Sequence, residues 1–366
     1  MKVSKSFSFT KATESFQHLY CTFDSSNGGH TNIINDLVSL DENLLASASD
    51  DHSIKIWQLN EKKLKFTFNS TNGGHNRKVN YLASLNSSYL VSGSAQETSI
   101  KIWDFNLGQL SKSYEHSKNV KDLVVSDSKT LIASGSSQEI IVWDVLKKMV
   151  KFNFSKKKDF HSDASTLRLT FINASLLASA VEDEIKIWNL PNERLESTFN
   201  FKSYKISSFL SVSDNTNLAF GLNDGRIQIF NFIKNKTHSR YKEHSKAVRH
   251  LLKSSDYLIS GSNDNNIILS SLYTNSVKYV FDSSKSGHNG SITSLVLLDR
   301  YLLASGSDDK TIKIWNLTNG EIKFTFDSIN QNGHTDKVTI LALIKNQKFL
   351  ASGSKDMKIK IWNNFN

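Results

Sequence analysis

A chain of 366 residues carrying 45 Lys and Arg against 35 Asp and Glu has a formal net charge of +10. That is length enough for a sizeable core, and charge enough to raise an acidic partner or nucleic acid as a possibility. The single cysteine, Cys21, excludes an internal disulfide framework and fits a reducing, cytoplasmic or nuclear compartment. No window approaches the roughly 18 apolar residues of a membrane span, and MKVSKSFSFTKATESF lacks the apolar run of a leader, so neither a leader nor a membrane partner is expected.

In chain order, residues 1–17 form a short N-terminal segment, and HLYCTF at 18–23 aligns with EIKFTF at 321–326 with no unit before it. A single sentence then recurs: LLASASDDHSIKIWQL at Leu44–Leu59 returns as LLASGSDDKTIKIWNL at Leu302–Leu317. Its anchors are Trp57, Trp103, Trp143, Trp188, Phe230, Ser270, Trp315 and Trp362. The seven intervals from Trp57 to Trp362 average about 44 residues, the length of a four-stranded propeller blade and longer than the short helical repeats. In the seventh unit Val277–Phe281, Ile292–Leu297, Leu302–Ser305 and Thr311–Asn316 alternate with period two and read as four short strands. The sole proline, Pro191, lies just after a strand, where its missing N–H does least harm. The eighth unit stops four residues after Trp362 and lacks its own outer strand. The strand around Leu19–Phe23 is predicted to complete that blade, closing a ring and removing open edges, with Cys21 as a buried small hydrophobe.

Gly-His, then Ser-Gly-Ser-x-Asp, then Ile-x-Ile-Trp resembles the WD-repeat family of β-propellers, over Leu19–Asn366. The resemblance implies an all-β fold: a single eight-bladed β-propeller of four-stranded antiparallel blades spanning 18–366. One departure is that LDENL, LNSSYL and LDRYL replace the family's Ser-Pro-Asp-Gly turn, although they still supply polar turn residues.

Seven of the eleven histidines hold one repeat position: His30, His75, His116, His161, His244, His288 and His334. The resemblance places each in a structural network with a strand Ser, a turn Asp and the strand Trp. Here these are His30, Ser47, Asp51 and Trp57; His288, Ser305, Asp309 and Trp315; and His334, Ser352, Asp356 and Trp362. A buried indole N–H, hydroxyl and carboxylate each need partners, and a closed network satisfies all of them. Catalysis needs one constellation in one pocket and not one copy per blade, so no catalytic residue is expected. The other histidines, His18, His52, His238 and His250, share no ligand spacing, and Gly28-Gly29 and Gly73-Gly74 lack a phosphate loop's strand–loop–helix context. No metal and no cofactor are expected.

Some copies fail. The third turn reads SSQE, with no Asp, and the fourth reads VEDE, with Glu182 or Asp183 as substitutes. In the fifth unit the Tyr204–Lys205 region takes the His slot and Phe230 replaces Trp, a paired loss that leaves no indole donor unpaired. In the sixth, His244, Ser260 and Asp264 persist while Ser270 replaces Trp. Tyr273, a neighbouring blade, water or a partner side chain are candidates for that space, and internal repacking is favoured.

Much of the basic charge is multiplied by repetition: Lys55, Lys101, Lys186, Lys313 and Lys360 all lie in Ile-Lys-Ile-Trp or its variants, with stems expected along the strands and ammonium groups in water. Function should lie at positions the repeat leaves free. By resemblance, the narrow face presents Asp50, Asp308 and Lys355 beside the turn Asp; Arg77, Lys78, Lys118, Lys246 and Lys337 after the repeat His; and Asn35, Asn80, Lys121, Arg249, Thr293 and Thr339 at the start of the innermost strand. The function this implies is a non-catalytic, monomeric scaffold binding proteins or peptides over that face. Two alternatives use the same basic residues: a reader of phosphorylated or acidic segments, like the eight-bladed substrate receptors of ubiquitin ligases, or an RNA-associated scaffold that adds Lys156–Lys158.

Overall fold

The computed structural model describes residues 19–155, 161, 167–201, 205–212, 216–274, 276–329, 332–344, 349–363 and 365. Its strands form eight four-stranded antiparallel sheets, each a blade. The first runs β2 (Ile34–Ser39), β3 (Leu44–Ser49), β4 (Ile54–Gln58) and β5 (Lys63–Phe68), from the innermost strand outward. The seventh contains Ile292–Leu297, Leu302–Ser307 and Ile312–Asn316, the second strand running two residues beyond its predicted end. Val277–Phe281 is the outer strand of the sixth blade, so the sequence repeat is offset from the blade by one strand.

The predicted closure is present. β1 (Leu19–Phe23) pairs antiparallel with Ile359–Trp362, Phe23 facing Ile359 and Thr22 facing Lys360. The innermost strands of successive blades touch all round the ring, and Val338–Leu343 of the eighth blade meets β2 of the first. Cys21 is half-buried on β1, and burial pushes its thiol up to about 12, which keeps it protonated.

Each blade buries its faces against neighbours through a mostly aliphatic core, with aromatic rings at one recurring contact. The outer strand of one blade lays a ring on the Trp of the next: Phe23 on Trp57 at 4.4 Å, Phe68 on Trp103 at 4.5 Å and Phe326 on Trp362 at 4.6 Å. Where Trp is absent, in the fifth blade, Phe230 is held edge-on by Phe199 at 4.8 Å and Phe201 at 5.1 Å, so the predicted apolar replacement is packed. The strand lysines depart from expectation. Lys186, Lys313 and Lys360 are buried, Lys186 paired with Glu184 at 3.3 Å and Lys360 donating to Asn332 O at 2.6 Å. Lys313 donates to Thr325 Oγ1 at 3.4 Å, and in each case a polar oxygen replaces water lost by the ammonium.

Around the central channel, polar side chains stitch blade to blade. Asn35 Nδ2 donates to Val79 O (2.9 Å), Thr293 Oγ1 to Val338 O (2.7 Å) and Thr339 Oγ1 to Ile34 O (2.5 Å), the last across the closure. Carboxylates take the reverse role, Asp36 Oδ2 accepting from Leu82 N and Asp122 Oδ2 from Leu169 N, both at 2.7 Å. Burial raises Asp36 to about 7 in spite of its two backbone N–H donors. A folded-state value above the unfolded one, about 4, means that the group takes stability away progressively as pH rises from about 4 to 7. Asp36→Asn keeps an acceptor for Leu82 N and removes the charge. It is therefore expected to raise the melting temperature at pH 8 and leave it nearly unchanged at pH 4, and equal shifts at both pH values would contradict this reading.

Candidate partner-binding face

One face of the ring carries the loops that hold the repeat histidines and the turns that hold the acids, and the networks fasten these together. In the first blade Trp57 Nε1 donates to Ser47 Oγ (2.8 Å), Ser47 Oγ meets His30 Nε2 (2.7 Å), and His30 Nδ1 meets Asp51 Oδ2 (2.7 Å). Indole only donates and carboxylate only accepts, so the chain has one direction: the Ser hydroxyl donates to Nε2, and the neutral imidazole carries its proton on Nδ1. The seventh and eighth blades repeat it through His288, Ser305, Asp309 and Trp315 and through His334, Ser352, Asp356 and Trp362, with every link at 2.8–2.9 Å. Burial pushes His30, His288 and His334 below the ordinary histidine value against the pull of their acids. Burial also works to raise Asp51, Asp309 and Asp356, but hydrogen bonds from the histidines and neighbouring backbone overcome it, holding Asp356 at about 2. The carboxylate contribution is thus complete above about pH 4 and lost as pH falls towards 2.

The weaker copies are more complete than their turns imply. Glu97 serves His75 in the second blade, and Glu184 serves His161 at 2.6 Å in the fourth, in place of the predicted Glu182 or Asp183. Glu182 instead occupies the turn with φ 46°. In the third blade Glu139 of SSQE accepts from Ser117 N and stands 3.4 Å from His116 Nδ1, close enough for charge attraction but without a hydrogen bond to that nitrogen, so this network is left open at its acid end. All three glutamates lie five residues after the strand Ser, whereas the aspartates lie four after it. The extra methylene of Glu makes up the shift in the second and fourth blades.

The sixth blade corrects the reading of Ser270. Tyr273 is 73% exposed and does not enter the slot left by the missing Trp. Glu243, directly before the repeat His, accepts from Ser270 Oγ at 3.0 Å, and burial raises its carboxyl. His244 keeps Ser260 at 2.8 Å and Asp264 at 3.0 Å, so the loop is still fastened. Tyr204, proposed for the fifth blade's His slot, and Lys156–Lys158 lie outside the described residues.

The candidate partner residues fall into two groups. Lys78 pairs with Asp50 of the preceding blade, and Asn35 Nδ2 holds the other oxygen of Asp50 at 2.8 Å. Lys337 likewise pairs with Asp308 of the preceding blade at 2.9 Å. These four charges clasp neighbouring blades and largely cancel, as Asn35, Thr293 and Thr339 are spent on stitching. Arg77, Lys118, Lys246, Arg249 and Lys355 are exposed and Lys121 half-buried, and none forms an ion pair with a described residue. The unpaired candidate cations therefore lie on the second, third, sixth and eighth blades, while Glu182 and Asp183 add acids on the turn of the fourth. Arg168, on the innermost strand of the fourth blade, adds a half-buried guanidinium within the electrostatic reach of Asp122 and His250, and burial with the charges of Arg249 and Arg168 lowers His250 to about 4. Among the described residues no three His, Cys, Asp or Glu side chains gather as a metal site would require.

Comparison with known proteins agrees with this geometry. The family model for "WD domain, G-beta repeat" matches residues 20–58, 63–104, 108–144, 235–269, 279–316 and 324–363, passing over the fourth blade and most of the fifth. Similar proteins include Autophagy-related protein 16 of Arabidopsis thaliana, 29% identical over 46% of this chain and 34% of that protein. Others are the WD repeat-containing protein 55 homolog of Dictyostelium discoideum, 22% identical over 47% of this chain and 41% of the relative, and the U3 small nucleolar RNA-associated protein 15 homolog of Gallus gallus, 23% identical over 46% and 33%. The alignments thus span about a third to two fifths of these relatives. The crystal structure of the computationally designed Ika8 protein superposes with a TM-score of 0.77 at 23% identity, over 92% of this chain and 98% of that one, a likeness of fold. The chain belongs to the WD-repeat family of β-propellers.

Proposed function

We propose that this chain is a non-catalytic scaffold of the cytoplasm or nucleus that holds acidic protein segments, phosphorylated ones included, over the face carrying Arg77, Lys118, Lys121, Lys246, Arg249 and Lys355. The observation that carries the reading is the separation of charges: Lys78 and Lys337 are tied to Asp50 and Asp308, while these six cations, five exposed and one half-buried, have no ion partner among the described residues. Cations left free on a rigid face steer and select anionic partners, and the two arginines offer forked donors to carboxylate or phosphate. The relatives named as autophagy-related and small-nucleolar-RNA-associated proteins support a role within assemblies.

The test compares affinity capture from nuclease-treated lysate by the intact chain and by a variant with Arg77, Lys118, Arg249 and Lys355 changed to Glu. Specific proteins retained by the first and lost from the second are the expected result, with capture weakened by phosphatase treatment for phosphorylated partners. The same proteins on both would sink the proposal. A second reading, RNA association through the same face, is favoured by the relative named for a small nucleolar RNA. It predicts that nuclease alone empties the capture and that binding falls steeply with salt.

A further inference from the structure

Five Asn-Gly pairs occur in the chain: Asn27-Gly28, Asn72-Gly73, Asn289-Gly290, Asn319-Gly320 and Asn332-Gly333. An asparagine before glycine can lose its amide without an enzyme, because no side chain on the next residue keeps that residue's backbone nitrogen from the asparagine Cγ. The two atoms must still meet in an attacking geometry. A fold opposes this in two ways, by hydrogen bonds that hold the side-chain amide in one rotamer and by a hydrogen bond that engages the glycine N–H.

Four of the pairs carry at least one of these restraints. Asn27 Oδ1 accepts from Asp24 N at 2.8 Å while its Nδ2 donates to Thr22 O at 2.9 Å. Asn72 repeats the arrangement with Asn69 N at 2.9 Å and Thr67 O at 2.8 Å. Asn319 is held on both side-chain atoms by Glu321, and Gly320 N donates to Asn316 O at 2.9 Å. Gly333 N is spent on Asp327 O at 2.6 Å. The pair in the seventh blade has neither restraint. Asn289 is exposed, and neither its side-chain amide nor Gly290 N makes a hydrogen bond with a described residue. Only the Asn289 backbone N is engaged, donating to Asp309 Oδ2 at 2.9 Å, and that bond leaves the side chain free to turn.

The glycine is also demanded by the packing. A Cβ on Gly290 would stand 2.5 Å from Asp309 N and 2.9 Å from Asp308 C, so the loop after His288 can lie on the acid turn only because this residue has no side chain. Ser307 Oγ fixes the Gly290 carbonyl at 2.9 Å. The fold thus requires the very residue that makes Asn289 labile.

We propose that Asn289 is a site of spontaneous deamidation, selected by the fold from among the five pairs. Gly290 N gives up its proton to solvent and bonds to Asn289 Cγ. The bond from Cγ to Nδ2 breaks, the nitrogen leaves as ammonia, and a five-membered imide remains. Water then adds at either imide carbonyl and opens the ring, leaving aspartate or isoaspartate. No electrons are exchanged, and water is the one co-reactant. Both products add a negative charge beside Asp308 and Asp309. Isoaspartate also lengthens the main chain by a methylene directly after His288, where Gly290 packs against Asp309 N, so this product loosens the seventh blade's network.

The experiment is incubation of the folded full chain at mildly alkaline pH, followed by digestion and mass measurement of the amide-to-acid change at each pair, with the aspartyl and isoaspartyl peptides separated by chromatography. Conversion at Asn289 at least about tenfold faster than at any of the other four pairs is expected. In chain unfolded by guanidinium chloride the five should convert at similar rates, since the restraints are gone. Asn289→Gln, whose longer side chain would have to close a six-membered ring, should lose the signal with an unchanged melting temperature. Aged protein enriched in isoaspartate should melt below the fresh chain. Conversion at Asn289 no faster than at Asn27 or Asn72 in the folded chain, or an Asn289 that stays intact, would overturn the proposal.

Discussion

Phe23→Ala is expected to cost the whole ring about 3–5 kcal/mol, the usual penalty for deleting a buried aromatic side chain. Phe23 is 1% exposed, stacks on Trp57 of the first blade and sits on the strand that completes the eighth. Its loss therefore weakens two blades and the seam that joins the ends of the chain. Removing residues 1–24 goes further: it bares the edge of Ile359–Trp362 and takes away Asp24, which lies 3.8 Å from Lys358. Because each blade is supported mainly by its neighbours, opening one seam exposes two flanks, and loss of structure spreads from there. Denaturant titration of both variants should show a lowered midpoint at every probe. A truncated chain that melted with the full-length protein would show that β1 is dispensable and the closure decorative.

Ser305→Ala should cost more than Ser260→Ala, although both remove one hydroxyl from the same repeat position. In the seventh blade Ser305 joins Trp315 Nε1 to His288 Nε2, so its loss strands a buried donor and a buried acceptor. Each stranded group costs about 1–3 kcal/mol, giving roughly 2–6 kcal/mol for the pair. In the sixth blade no indole reaches Ser260, because Ser270 stands in the Trp position, and only His244 Nε2 is orphaned, at roughly half the cost. Equilibrium unfolding of the two variants measures the difference directly. Equal losses would mean that the networks are not the directional chains described here.

Much of the fold is legible in the sequence because repetition averages out local ambiguity. A single copy of Ile-Lys-Ile-Trp is a weak signal, but anchors returning at about 44 residues from Trp57 to Trp362 specify blade number and strand order together. The closing strand is legible for the same reason, as HLYCTF has the form of an outer strand with no blade before it. What escapes is whatever depends on two blades at once. Asp50 and Lys78 are 28 residues apart, and Asp308 and Lys337 29, so their pairing is settled only when neighbouring blades are set side by side. Read alone, they look like recognition charges. Glu97, Glu139 and Glu184 escape for a different reason: a one-residue shift moves them out of the aligned turn column, and only side-chain length shows that Glu97 and Glu184 still reach the histidine. Glu243 precedes the repeat His where four other blades have Gly, and its meaning emerges only beside the missing Trp at Ser270.

The most direct measurement of the proposed role is a hydrogen-exchange footprint on this chain of a protein captured through it. Slowed exchange confined to the loops around Arg77, Lys118, Lys246, Arg249 and Lys355, and absent from the clasped Asp50–Lys78 and Asp308–Lys337 seams, is the predicted result. Slowing instead along the outer strands, with the basic loops unchanged, would place the working surface on the rim and contradict the account.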